Sequence, residues 1–117
     1  MTDQEFDLAR TMALGDPATD AGRTALVEIF RAYFDNVSAT IATMRLAASP
    51  EDVRAHAHRA KGASGVVGAI ALRASFDDLE ARAAAGESVT ADTYDDLERQ
   101  LASLRRIVSG RLAVDLQ

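Results

Sequence analysis

Apolar residues recur every three to four positions along most of the chain, which is the spacing of one face of an α-helix. In the longest such stretch they are Leu26, Ile29, Phe30, Tyr33, Phe34, Val37, Ile41 and Met44. Near the end of the chain they are Tyr94, Leu97, Leu101, Leu104, Ile107 and Val108. No segment has the pattern of a strand, so the chain is predicted to fold into an all-α structure.

Sequence signals for helix ends separate a short first helix from a long second one. The first is predicted from Asp3 to Ala13, with apolar residues at Phe6, Leu8 and Met12. Gly15-Asp16-Pro17 breaks it, because Gly and Pro interrupt helical structure. The second helix is predicted to start with Thr19 or Asp20 as its N-cap and to run to about Ala48.

The third helix has a strong start signal, Ser49-Pro50-Glu51-Asp52. A Ser side chain can cap free backbone N–H groups, Pro suits the first helical position, and acidic side chains favour the positive end of the helix dipole. This helix is predicted to end at about Val67 or Gly68.

Two further helices are predicted. The fourth runs from about Ile70 to Ala85 with Gly86 as its stop, and its inward residues are Leu72, Phe76 and Leu79. Thr90 or Asp92 caps the fifth, and the tail after Gly110 is expected to be helical or frayed. Because the connections are short, the long helices are predicted to form an antiparallel up-down four-helix bundle, with the short first helix as an N-terminal extra, in a single domain of residues 1–117.

Composition excludes several classes of protein. The sequence has 13 basic and 18 acidic residues, a net charge of −5, and no Lys/Arg-rich run, so nucleic-acid binding is not expected. It has no Cys, which excludes a disulfide scaffold and a thiolate metal site. No signal peptide and no long apolar run is evident, so a cytoplasmic protein without membrane association is expected.

The candidate chemistry lies in the third helix around His58. At about 100° per residue, one face contains Val53, Ala60, Ala63 and Val67 and should be the core, while His58 falls nearly opposite. The residues near it on the exposed side are basic or very small: Arg54, Lys61, Gly62, Gly65 and Ala69. An exposed imidazole is mostly neutral at pH 7, which leaves one ring nitrogen free as a nucleophile.

Lys61 lies three residues after His58, within its reach on a helix surface. Attack on a phosphoryl group requires in-line access and nearby positive charge, which Lys61 can supply. Arg54 and Arg59 are weaker candidates for the same role. The alternative is that Lys61 is an ordinary solvated lysine.

Gly62 and Gly65 are unusual inside a helix, where each glycine costs about 1 kcal/mol relative to alanine. Both lie on the side of His58, where the missing side chains would let a partner's backbone approach the imidazole. The alternative is close helix packing or an early end of the helix. Gly68 is predicted to terminate the helix.

A second histidine, His56, suggests a metal site at first sight. Residues two apart on a helix point about 200° from each other, so one ion cannot bind both histidines, and no metal site is predicted. His56 is expected to be partly buried and hydrogen-bonded. A group of acidic residues is expected on solvated helix faces: Asp77, Asp78, Glu80, Asp95, Asp96 and Glu98.

The segment from His58 to Ala69 resembles the His-x-x-Lys-Gly motif of histidine phosphotransfer (HPt) domains and the small residues that usually follow it. Residues 26–34 resemble the helix before the family's histidine helix, and Leu79-Glu80 resembles the Leu-Glu pair after it. One departure is Ala60, where the family often has a larger aliphatic residue.

The resemblance implies a helical bundle that carries a phosphoryl group on His58 between receiver domains, with Lys61 assisting the phosphate and Gly62 leaving room for the receiver. The other residues expected at the docking surface are Arg54, Arg59, Gly65 and Ala69. A hybrid sensor histidine kinase is a further expected partner, and Mg²⁺ is expected only on the receiver. The chain itself is expected to be a monomeric phosphocarrier without a cofactor or an ATP site.

Three other hypotheses stay open at this point. The first is an HPt-like adaptor or phosphate sink that binds a receiver without productive relay. The second is a structural bundle in which the glycines serve helix packing. The third is a metal hydrolase that uses His56 and His58, which helix geometry disfavours.

Overall fold

The computed structural model describes residues 6–113 and residue 116, and these contain helices but no strand. The five helices are α1 (Leu8–Met12), α2 (Asp20–Arg45), α3 (Pro50–Val67), α4 (Ile70–Ala84) and α5 (Ala91–Leu112). The prediction of an all-α fold is confirmed.

The four long helices pack in a closed ring. Helix α3 contacts α2 and, most extensively, α4, while α5 contacts α2 and α4, and the short α1 packs on α3. Side chains from all four long helices meet in the core, among them the buried Phe30, Ala57, Phe76 and Leu104. The antiparallel direction of successive helices stays a prediction from the short connections.

Helix α2 follows its predicted pattern closely. The Thr19 hydroxyl accepts a hydrogen bond from Gly22 N at 3.0 Å, which makes Thr19 the N-cap. All the predicted inward side chains are buried except Ile29, which is partly buried. The helix ends at Arg45, before the predicted Ala48, because the chain must reach the extended backbone of Ser49 that caps α3.

Helix α1 is shorter than predicted. The Asp7 side chain accepts a hydrogen bond from Arg10 N at 3.2 Å, so Asp7 is the N-cap and the helix begins only at Leu8. Phe6 therefore lies before the helix, contrary to the prediction, although its ring is buried against Phe30 with centroids 6.0 Å apart. The first predicted positions, residues 3–5, lie outside the described residues.

The junction of α1 with α3 depends on a polar contact and a glycine. Met12 is 47% exposed, and the inward residue is Thr11, whose hydroxyl donates to Val67 O at 2.9 Å. Gly68 has a φ of 81° at the C-cap of α3, and a Cβ there would lie 2.6 Å from the carbonyl oxygen of Asp7. Gly68 is therefore the helix stop that the sequence predicted.

The last two helices have nearly the predicted bounds. Helix α4 ends at Ala84, close to Gly86, which has a φ of 80°. Thr90 takes the N-cap position of α5, but its side chain makes no capping hydrogen bond. The helix continues past Gly110 to Leu112, and the predicted inward side chains are buried except the partly buried Ile107. Within residues 6–113, no helix has the length and apolar character needed to cross a bilayer.

Candidate functional site

The orientation of α3 determines which of its side chains reach the surface. Its buried residues are Val53, Ala57, Ala60, Ser64 and Val67. Ala63 was predicted in the core but is exposed. The core position belongs instead to Ser64, whose hydroxyl forms a buried hydrogen bond of 2.7 Å with the Tyr33 hydroxyl of α2. With Ser64 facing the core, the His58 side chain lies on the outer side of α3 and is 65% exposed.

A carboxylate from the neighbouring helix holds the His58 ring. His58 Nδ1 lies 2.9 Å from Oε2 of Glu80, a residue of α4 whose side chain is only 19% exposed. Hydrogen bonding to Lys61, supported by the contact with His58, lowers the pKa of Glu80 although its burial acts in the opposite direction. Glu80 is thus ionised at neutral pH and can only accept, so Nδ1 is the donor of this hydrogen bond, and in the neutral form of the ring Nε2 has the free lone pair.

Lys61 shares the same carboxylate and adds a second one. Its Nζ lies 2.7 Å from Glu80 Oε1 and 3.2 Å from Asp77 Oδ1. Hydrogen bonds to Glu80 and then to Asp77 raise the pKa of Lys61, which keeps it cationic. Residues three apart share one side of a helix. This spacing brings His58 and Lys61 of α3 opposite Asp77 and Glu80 of α4.

Gly62 leaves open space beside this cluster. A Cβ atom at Gly62 would meet nothing within 4 Å, and the residue is exposed. Packing within the bundle therefore does not explain this glycine. Gly65 differs, because a Cβ there would lie 3.3 Å from Cδ and Nε of Arg73, whose side chain crosses it from α4.

The sequence model of one family, described as the Hpt domain, matches residues 28–107, which is more than half of the chain. This chain belongs to the Hpt domain family. No curated protein and no solved structure matches it. Hpt domains are helical bundles that act as phosphocarrier modules, not as catalysts, in histidine phosphotransfer, and they interact with receiver domains of two-component systems.

Two arginines of this Hpt domain that were predicted near His58 are bound to neighbours on α3. Arg54 Nη2 lies 2.6 Å from Glu51 Oε1. Arg59 Nη2 lies 2.6 Å from His56 Nδ1. His56 is half-buried and hydrogen-bonded, which confirms its predicted structural role. The hydrogen bond with Glu51 is the largest cause that raises the pKa of Arg54, and the charge of Glu80 contributes less.

One residue predicted at the docking surface of the Hpt domain lies elsewhere. Ala69 is fully buried, so its side chain does not face the surface that carries His58. The prediction treated Ala69 as a residue of α3. The helix ends at Val67, however, and the backbone changes direction at Gly68, so Ala69 does not follow the helical spacing.

Glu80 is the site residue that sequence reasoning missed. It was expected on a solvated face, but it is mostly buried and contacts both His58 and Lys61. The available signal was the Leu79-Glu80 pair, which resembles a family feature. Two other acidic residues of that set, Asp95 and Glu98, lie 2.6 Å and 3.1 Å from Arg45.

Proposed function

We propose that this Hpt domain accepts a phosphoryl group on Nε2 of His58 from the aspartyl phosphate of one receiver domain and passes it to the aspartate of another. The observation that carries the proposal is the hydrogen bond between Nδ1 of the exposed His58 and the Glu80 carboxylate. This bond keeps the proton on Nδ1 and leaves Nε2 as the nucleophile.

The proposed transfer needs no proton movement. The Nε2 lone pair of His58 forms the N–P bond while the P–O bond of the acyl phosphate breaks, and the receiver's carboxylate leaves with the electron pair. Because Nδ1 keeps its proton, the ring becomes cationic as the N–P bond forms. Glu80 is placed to stabilise that positive charge, and the same steps in reverse release the phosphoryl group to a second receiver.

Lys61 is proposed to bind the phosphoryl oxygens. Its ammonium group lies next to the same carboxylate that holds His58, which keeps the cation near the reacting nitrogen. A charge-assisted hydrogen bond from Lys61 then offsets the negative charge on the transferred group.

The proposed docking surface extends from His58 along α3 toward the start of α4. Gly62 lets the receiver backbone approach, and beyond it the side chains of Val66 and Ile70 are 58% and 43% exposed. Large apolar side chains at the surface are typical of contacts that a partner covers. The receiver brings an anionic phosphoryl group and its carboxylates, which fits nearby cationic side chains: Arg54, Arg59 and Lys61 of α3, and Arg10 and Arg73, which both lie beside Gly65.

The partners of the proposed relay follow from this chemistry. Mg²⁺ is expected to stay with the receiver, and a hybrid sensor histidine kinase is the expected source of the phosphoryl group. One His58 per bundle is sufficient for the reaction, so a monomer is the proposed functional unit, with residues 1–117 as a single domain.

The test is phosphotransfer from isolated receiver domains that carry a radioactive phosphoryl group. The wild-type chain is expected to take up label that is lost in acid, which is the behaviour of a phosphohistidine. The variant His58→Gln is expected to take up none, whereas the matched variant His56→Gln is expected to retain transfer.

Each result has a clear consequence. Label on His58→Gln would refute the site, and no label from a broad panel of receivers would refute the relay. Binding of a receiver by the unlabelled wild-type chain would then favour the adaptor hypothesis. Circular dichroism spectra of both variants should match that of wild type, because both side chains lie at least partly outside the core.

A further inference from the structure

The proposed role of Lys61 leaves one contact unexplained. Its ammonium group is bound by two carboxylates, although one is enough to hold it beside His58. Lys61 is the only lysine of the sequence, and the second carboxylate, from Asp77, gives this cation an anionic partner before any phosphoryl group arrives.

The two carboxylates differ in how firmly they are held. Glu80 is 19% exposed, and its two oxygens lie 2.9 Å from His58 Nδ1 and 2.7 Å from Lys61 Nζ. Asp77 is 69% exposed and lies 3.2 Å from Lys61 Nζ. A solvated carboxylate at the longer distance makes the weaker ion pair, so it is the contact that an incoming anion replaces.

We infer that Asp77 is a displaceable counter-ion of Lys61, which the phosphoryl group on His58 must replace and which thereby makes the phosphohistidine less stable. The inference rests on the proposed function. After transfer, the phosphoryl oxygens take the place of Asp77 at Lys61, while Glu80 keeps its contact with the ring. Because phosphorylation costs the ion pair between Lys61 and Asp77, the phosphohistidine is less stable and the group passes on to a receiver more readily.

The test compares two neighbouring acidic residues. Asp78 also lies on α4 and is 70% exposed, but it faces α5 and lies 3.8 Å from Arg82. Asp77→Asn and Asp78→Asn make the same change in charge and in shape. At equilibrium with one receiver, Asp77→Asn is expected to raise the ratio of phosphohistidine to phosphoaspartate about threefold, the size typical of an exposed ion pair. Asp78→Asn is expected to leave the ratio within error of wild type.

A second comparison tests whether Asp77 acts through Lys61. In a Lys61→Gln background, adding Asp77→Asn is expected to change the ratio much less than in wild type, because the shared cation is gone. The change in the ratio caused by Asp77→Asn should also become smaller as the salt concentration is raised. An equal ratio in Asp77→Asn and wild type would overturn the inference, and so would an undiminished effect in Lys61→Gln.

The contact itself can be measured without phosphorylation. Because the chain has a single lysine, ¹³C-labelled lysine gives one side-chain NMR signal to titrate. Asp77→Asn is expected to lower the pKa of Lys61, since it removes a carboxylate that raises it. An unchanged Lys61 titration would overturn the inference with the proposed function intact, whereas a wild-type chain that accepts no label overturns the proposed function first.

Discussion

His58 and Glu80 lie on different helices, and Nδ1 of the histidine is 2.9 Å from Oε2 of the glutamate. The same carboxylate reaches Lys61 through its other oxygen at 2.7 Å. Glu80 therefore sets the tautomer of the proposed nucleophile and the position of the proposed phosphate-binding cation together.

Glu80→Gln is expected to slow phosphotransfer from a phosphorylated receiver by about tenfold. A neutral amide can still contact the ring, but it does not stabilise the positive charge that develops during transfer. Rapid-quench measurement of label uptake gives the rate. Glu98→Gln is the control, because Glu98 is also a helical glutamate paired with a cation, Arg45, away from the site.

The tautomer of His58 distinguishes a specific loss of the Glu80 contact from a general loss of the fold. In wild type, ¹⁵N NMR of His58 is expected to show the Nδ1–H tautomer, and in Glu80→Gln a mixture of the two tautomers. The same tautomer in both proteins, or an unchanged rate in Glu80→Gln, would contradict the role given to Glu80.

Gly62→Leu is expected to reduce receiver binding and phosphotransfer more than tenfold while the fold is kept. No atom of the bundle lies within 4 Å of a Cβ at this position, so the added side chain extends toward the partner. Replacing glycine in a helix also stabilises it by up to about 1 kcal/mol. The matched control is Gly110→Leu, since Gly110 is exposed on α5 and equally free of neighbours.

Thermal unfolding and receiver titration together decide this prediction. Both leucine variants should unfold at or above the wild-type temperature, and only Gly62→Leu should lose affinity. If Gly62→Leu binds the receiver as well as Gly110→Leu does, Gly62 is not at the docking surface.

Val66→Ser tests how far the docking surface extends beyond Gly62. The Val66 side chain is 58% exposed, so its loss costs the fold little, but it removes apolar area that a receiver would cover. The affinity is expected to fall several-fold by isothermal titration calorimetry. Leu46→Ser is the control, because Leu46 is 87% exposed at the end of α2, before α3 begins. Equal affinities of these two variants would remove Val66 from the surface.

Helix bounds were predictable wherever a local cap determines them. Ser49, Gly68 and Gly86 act at the positions that their chemistry predicts, because a cap needs only the backbone next to it. The start of α1 was predicted wrongly because it was placed from the spacing of apolar residues. The local cap, Asp7, determines where this helix begins.

The residues that depend on contacts between helices were harder to predict. Ser64 is polar, yet it is buried because Tyr33 on another helix satisfies its hydroxyl, and Ala63 is exposed in its place. Glu80 looks like any solvated acid in sequence, and its role appears only when α4 lies against α3. His58, by contrast, was predictable, since its exposure follows from the phase of one amphipathic helix.

Tyr33→Phe tests the contact that orients α3. Burial raises the pKa of Tyr33 to about 12, against the smaller opposing effect of its hydrogen bond with Ser64. A raised pKa in the folded state gives stability that is present below the ordinary tyrosine pKa of about 10 and is lost as the pH rises toward 12. The free energy of unfolding of wild type is therefore expected to fall by about 2 kcal/mol over that range.

The Phe variant should lose most of that pH dependence, because its ring has no hydroxyl to ionise. At pH 7 it should be less stable by about 1 kcal/mol, since the buried Ser64 hydroxyl loses its partner. Urea unfolding of both proteins between pH 8 and pH 12 gives the comparison. Parallel pH profiles would show that Tyr33 ionises as freely in the folded protein as in the unfolded chain.

In the proposed phosphorylated state, Nε2 of His58 carries the phosphoryl group while Glu80 holds Nδ1. The most direct measurement is NMR of the phosphorylated protein labelled with ¹⁵N-histidine, which detects the ¹⁵N–³¹P coupling and identifies the bonded nitrogen. A single coupling is expected, to Nε2 of His58, and none in His58→Gln. Coupling to Nδ1 of His58, or to either nitrogen of His56, would contradict it.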